Sequence, residues 1–218
     1  MFINRKDAGE QLGEKLEKYQ SMHPLILGIP RGGIEVGYYA ALHLECDFDT
    51  IIVRKLGYPQ QPEAAFGAIA EDGTLYLDPW LNQYINKEII EQVVGSEKEE
   101  IHRRIKEYRH GRRLPDLKER VVILIDDGIA SGATLFAAIE MCRKRHPGKL
   151  VVAAPVSGTA KLSKFKAKVD ELIILEKREK FFAVSEGYVD FANLNDKQVK
   201  YFLEQWQQKI SNEVPPDQ

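Results

Sequence analysis

Cysteine is scarce in this chain of 218 residues: there are two, Cys46 and Cys142, far apart. Two isolated thiols build no disulfide framework and match no zinc-binding spacing, so reduced cysteines in a cytoplasmic protein are expected. The five histidines, His23, His43, His102, His110 and His146, contain no His-x3-His pair, which argues against zinc chemistry. Long apolar runs are missing too. None approaches the roughly 18 residues that a membrane-spanning helix requires, and Met1-Phe2-Ile3-Asn4-Arg5-Lys6-Asp7 lacks the apolar core of a signal peptide. No membrane partner is expected. Nor is one sign of charge in excess: 31 Lys and Arg against 33 Asp and Glu leave a formal net charge of −2. That balance removes the simplest argument for a nucleic-acid partner, whose phosphates call for a basic excess or a basic face.

What remains is an ordinary globular composition, 44% apolar and 29% charged, in a length that suits one domain over residues 1–218. Residues 4–19 read as an amphipathic helix capped by Asn4, with Asp7 facing its dipole. Leu25-Ile26-Leu27-Gly28-Ile29 has the continuous apolar character of a strand buried on both faces. A helix over 34–44 and a β-branched strand over 50–53 follow. Residues 54–73, with Gly57, Pro59, Pro62, Gly67 and Gly73, read as a long flexible loop closing into a hairpin that returns along Leu75-Tyr76-Leu77. The spacing of Ile90, Val94, Ile101, Ile105 and Tyr108 predicts one helix over 87–109. Strands are expected at 121–125, 150–154 and 172–175, and helices at 131–145, 160–166 and 196–208. This alternation is that of an α/β fold with a parallel sheet flanked by helices. Ligands of such sheets sit beyond the carboxyl ends of the strands, so the loops after Ile29, Val53 and Ile125 are where a site is expected.

The most informative stretch runs from Val121 to Leu135. An apolar strand ends in Asp126-Asp127, passes through Gly128-Ile129-Ala130-Ser131-Gly132 and enters a helix at Ala133-Thr134. A helix N-terminus offers unpaired N–H groups and a positive dipole end, which suits a phosphate. Gly132 and Ala133 let the backbone approach an anion, and Ser131 and Thr134 can donate hydroxyls. Asp126 and Asp127 would repel phosphate and fit better as acceptors for sugar hydroxyls, with a divalent metal nearby. A Walker A loop is excluded because no lysine follows the glycines, and the dinucleotide fingerprint is absent from the first strand. A plain acidic turn before a capped helix is the ordinary alternative.

This stretch resembles the phosphoribosyl pyrophosphate signature of the type I phosphoribosyltransferases, with Ala133 where the family often has glycine and Ser131 where threonine is common. Pro30-Arg31-Gly32-Gly33 is similar to the family's pyrophosphate-binding loop. Arg54-Lys55 stands where basic residues meet the leaving group, and residues 56–69 where the family has a flexible catalytic lid. The resemblance covers about residues 3–200 and is nearest to a bacterial branch sharing Arg54-Lys55-Leu56-Gly57, Pro62-Glu63 and Gly67-Ala68-Ile69-Ala70. It implies Mg²⁺-dependent transfer of ribose 5-phosphate to a nitrogenous acceptor, expected to be a nucleobase. Asp126, Asp127, Arg54 and Lys55 would act in catalysis, and Mg²⁺ would be met by Asp126 and Asp127 through ribose hydroxyls or water. Dimerisation, common in the family, is a further expectation. The alternative is a regulator that binds phosphoribosyl pyrophosphate or a nucleotide without turnover.

Two further stretches bear on these readings. Phe181, Phe182, Tyr188, Phe191, Tyr201 and Phe202 crowd into a segment that the resemblance assigns, over about 176–210, to a hood above the acceptor. Core packing accounts for most of them, and Phe181, Phe182 and Tyr188 are the residues expected to line a site. Arg103, Arg104, Lys106, Arg109, Arg112 and Arg113 give a basic run. On a helix these six spread over several faces, so a solvated face or an oligomer contact is expected rather than a nucleic-acid stripe.

Overall fold

A computed structural model describes residues 1–213, without the side chains of Pro62, Glu63, Asn82 and Glu213. Pro62 and Glu63 of the expected lid therefore lie, in their side chains, outside the described residues. The chain opens with α1 (Arg5–Leu16), whose cap Asn4 accepts from the Asp7 N–H. The central sheet holds β1 (Leu25–Gly28), β2 (Asp47–Thr50), β6 (Val121–Ile125), β7 (Lys149–Gly158) and β8 (Glu171–Arg178), all parallel, in the order β2-β1-β6-β7-β8. Their crossovers carry α2 (Gly32–Leu44), α4 (Ala133–Arg143) and α5 (Leu162–Lys166), and α6 (Asp196–Glu213) closes the chain. Strand alternation divides the interior in two. Ile26, Ile123, Ile125 and Val151 face α1, α2 and α6, while Leu25, Leu27, Val122 and Leu124 face α4. No helix of the described residues is long and apolar enough to cross a membrane.

Residues 54–73 form less of a loop than their composition predicts. β3 (Val53–Tyr58) and β4 (Gln61–Ala70) pair antiparallel around Pro59-Gln60, and β5 (Leu75–Leu77) adds a third strand. The ribbon lies between α3 (Lys87–Arg109) and α4: Leu56, Phe66 and Ile69 join one core, Val53, Ala68 and Ala70 the other. The alternation was hidden by alanine and glycine, which carry little strand propensity. The strand expected at 50–53 is also displaced. Thr50 ends β2, its hydroxyl donating to the Gly28 carbonyl at 3.0 Å, and Ile51-Ile52 turn the corner between the sheets.

The basic run is partly the expected solvated face, with Arg103, Lys106, Arg112 and Arg113 exposed, and partly a seam, with Arg104 and Arg109 buried. Arg103 and Arg104 both pair with Glu100, Arg103 also reaches Asp196 of α6, and buried Arg109 pairs with Glu71 beside the ribbon. Glu100 is a helical neighbour of Arg103 and Arg104, whereas Asp196 and Glu71 are long-range partners that helical spacing alone does not show.

Candidate functional site

At the carboxyl end of the sheet the chain encloses a cavity of about 290 Å³. Its floor is the segment from β6 to α4. The Ile129 N–H donates to the Val156 carbonyl at 2.9 Å and the Ile129 carbonyl accepts from Gly158 at 3.3 Å, so the loop is stitched to β7. Gly132, at φ 72°, turns the backbone into α4, whose first turn has N–H groups without intrahelical acceptors. The dipole end there and the residues Ser131 and Thr134 lie on the cavity lining, an arrangement chemically suited to an anion.

The loop after β1 closes the next side. The Pro30–Arg31 peptide is cis, and Gly32 and Gly33 start α2 pressed against the acid pair. A Cβ on Gly32 would stand 1.8 Å from Asp127 Oδ2, and one on Gly33 2.5 Å from the Ile125 carbonyl. Those contacts, rather than turn formation alone, demand two glycines. Asp126 Oδ1 accepts from the Asp127 N–H at 2.9 Å. Burial, and then the charge of Asp127, push the Asp126 carboxyl well above the ordinary carboxylate range, while the Lys55 ammonium pulls the other way.

The remaining wall combines residues of the 176–210 segment with Arg5, which was not foreseen. Arg5, on the first turn of α1, donates from Nε to Asp127 Oδ2 at 2.8 Å and from Nη1 to the Ala192 carbonyl at 2.7 Å, and lies 4.0 Å over the Phe191 ring. Glu35 stands 3.9 Å away on the other side, its carboxyl raised by burial against the pull of Arg5. Val184, Phe191, Asn193 and Leu194 complete the lining. No local signal marks Arg5: a buried arginine in a helix declares itself only through distant partners.

Arg31, Gly32, Lys55, Asp126, Asp127, Gly128, Ile129, Ala130, Ser131, Gly132 and Thr134 therefore line one cavity, as expected. The other expected positions lie off its lining. Gly33 and Ala133 support it from behind, the latter buried as the first residue of α4. Arg54 faces α3 and donates from Nε to Glu97 Oε2 at 2.6 Å, because successive strand residues point to opposite sides. Phe182 is 84% exposed, and Phe181 packs against the cluster of Phe2, Ala8, Val156 and Tyr188. Tyr188 is a buried strut whose hydroxyl donates to the Asp127 carbonyl at 2.5 Å, burial pushing its phenol up.

Known proteins share this fold. The crystal structure of TT1426 from Thermus thermophilus superposes with a TM-score of 0.79 at 34% identity, over 94% of this chain and 99% of that one. AQ2163 from Aquifex aeolicus, at 15% identity and a TM-score of 0.50 over 81% of this chain and 76% of that one, shares the fold. Two Mycobacterium tuberculosis proteins, MT0597 (strain CDC 1551 / Oshkosh) and Rv0571c (strain ATCC 25618 / H37Rv), carry a provisional phosphoribosyl transferase name. Each is 37% identical over 206 residues, 94% of this chain, which spans only 46% of their length. The family model of the phosphoribosyl transferase domain matches residues 4–190, a span holding the acid pair, the anion loop and the Arg31 turn, and this chain belongs to the type I phosphoribosyltransferase family.

Proposed function

We propose that the chain transfers ribose 5-phosphate from phosphoribosyl pyrophosphate to a nitrogenous acceptor, a nucleobase first among them, and releases pyrophosphate. One observation carries the reading: a helix N-terminus, the carboxylates Asp126 and Asp127 and the cations Arg5, Arg31 and Lys55 open into a single cavity. The start of α4, with Ser131 and Thr134, takes the 5′-phosphate. Asp126 and Asp127 accept from the ribose hydroxyls, and Asp127 favours positive charge on the anomeric carbon as the bond breaks. Arg31 and Lys55 meet the departing pyrophosphate together with the Gly32 backbone. Phe191 offers a ring face to a planar acceptor, with Val184 and Leu194 as apolar neighbours; Arg5 and residues 184–194 thus serve as the hood.

Among the described residues no group of three or more His, Cys, Asp and Glu forms a cage for a metal ion. Two adjacent carboxylates beside a phosphate site nevertheless fit Mg²⁺, which characteristically binds through one or two carboxylates, waters and substrate phosphates. Asp126 and Asp127 would hold it through ribose hydroxyls or water, and when bound it neutralises charge on the leaving group. Of the six residues of the basic run, Arg103, Arg104 and Arg109 pair within the chain, which leaves the exposed Lys106, Arg112 and Arg113 to a regulatory reading.

Pyrophosphate release from phosphoribosyl pyrophosphate and Mg²⁺, with and without pooled nucleobases, tests the proposal. Release that depends on the pool is expected, and dividing the pool names the acceptor. Saturable binding with no release from any pool would overturn nucleobase transfer.

A further inference from the structure

A second cavity, of about 590 Å³, lies between the ribbon and α3 and shares Pro30, Arg31, Lys55 and Thr134 with the first. Its lining sets three cations, Arg31, Arg54 and Lys55, against one carboxylate, Glu97. That carboxylate is spent on Arg54, at 2.6 Å from Nε. The pair is not sealed into the core: the two side chains are 29% and 20% exposed. Pairs of this kind contribute little to stability, so holding the fold together is a poor account of it. Arg54 is also the long, always-charged cation nearest in sequence to Lys55, which borders both cavities.

We propose that Glu97 is a positioning residue for the leaving pyrophosphate. It holds Arg54 in reserve beside the site, and Arg54 exchanges the Glu97 carboxylate for a phosphate oxygen as negative charge gathers on the leaving group. The exchange is placed in the second cavity, which Arg54 lines together with Arg31, Lys55 and Glu97, while the ribbon stays packed in both cores. A contact withheld from the bound substrate and recruited by developing charge favours the transition state over the ground state. The same competition loosens the product, because Glu97 remains at hand to take Arg54 back. The inference rests on the phosphoribosyl pyrophosphate reading and adds to it a residue of α3.

Calorimetric titration of the full chain with inorganic pyrophosphate and Mg²⁺, at one fixed ionic strength, tests it on four proteins: the parent, Glu97→Gln, Arg54→Gln and the double variant. Glu97→Gln is expected to bind about three- to tenfold more tightly than the parent, as a freed cation joins the anion. In the Arg54→Gln background the same change is expected to give no gain. Unchanged or weaker binding by Glu97→Gln would overturn the inference, since a merely structural pair cannot tighten the site when broken. A gain that survives without Arg54 would overturn it as well, showing only a general effect of removing negative charge. Parent protein that binds phosphoribosyl pyrophosphate but not pyrophosphate overturns this inference alone; parent that binds neither overturns the proposed function with it.

Discussion

The floor of the cavity and its outer wall are held by different means. The floor, from β6 into α4, is fixed by main-chain bonds from Ile129 to Val156 and Gly158 and by close backbone approaches at Gly32 and Gly33. The outer wall joins opposite ends of the chain, through side-chain hydrogen bonds beside one main-chain bridge. Arg5 ties Asp127 to the Ala192 carbonyl, Tyr188 ties itself to the Asp127 carbonyl, and Phe2 bridges to Tyr188. On the proposed function the 5′-phosphate would meet mostly main chain at the start of α4, and the acceptor mostly side chains. The two should fail separately.

The largest effect is expected where floor and wall meet. Asp127→Asn loses both the sugar-binding charge and the partner of Arg5, and should lower pyrophosphate release by about a hundredfold or more. Asp126→Asn should cost clearly less, because burial already favours the neutral carboxyl there; equal losses would show that this asymmetry does not matter in turnover. Next is Arg5→Ala, which strands Asp127 in a largely buried position. It should reduce unfolding free energy by about 3 kcal/mol in denaturant titrations, and in turnover assays should raise the acceptor KM more than that for phosphoribosyl pyrophosphate. Equal rises would mean that floor and wall are one unit.

A smaller effect belongs to the seam between α3 and α6, outside both regions. Hydrogen bonds from Arg103 and Arg104 lower the Glu100 carboxyl from 4.5 to about 2. A carboxyl depressed by folding stabilises the native state fully above the unfolded value, and that stabilisation drains away as pH falls from 4.5 through about 2. Denaturant midpoints measured across that window should fall less steeply for Glu100→Gln than for the parent. The smallest effect is expected of Phe182→Ser. With the ring 84% exposed, stability should change by less than about 0.5 kcal/mol and turnover should hold; a lost acceptor would restore Phe182 to the site.

The same division governs what could be read in advance. Strand, acid pair, small-residue loop and helix are contiguous from Val121 to Leu135, so their chemistry was visible without knowing the fold, as was the turn at Arg31. Helix α3 matched its apolar spacing over residues 87–109. The wall was hidden because Arg5 finds Asp127 at a separation of 122 residues and Ala192 at 187. Aromatic crowding pointed to the right segment and the wrong rings: Phe191 lines the cavity, and Phe181, Phe182 and Tyr188 do not. The resemblance groups Arg54 with Lys55 at the leaving group, and the pleat turns Arg54 toward Glu97, 43 residues on. In the ribbon, alanine and glycine hold buried positions whose pattern shows only once Phe66 and Leu56 are seen at 0% exposure.

That ribbon has a consequence for timing. Since β4 sends Phe66 and Ile69 into one core and Ala68 and Ala70 into the other, its root opens only when both cores open. In hydrogen-exchange terms its amides belong with the slowest of the sheet. The exposed turn at Pro59-Gln60 belongs to neither core, so local opening of the ribbon is expected to start there and to leave its root closed.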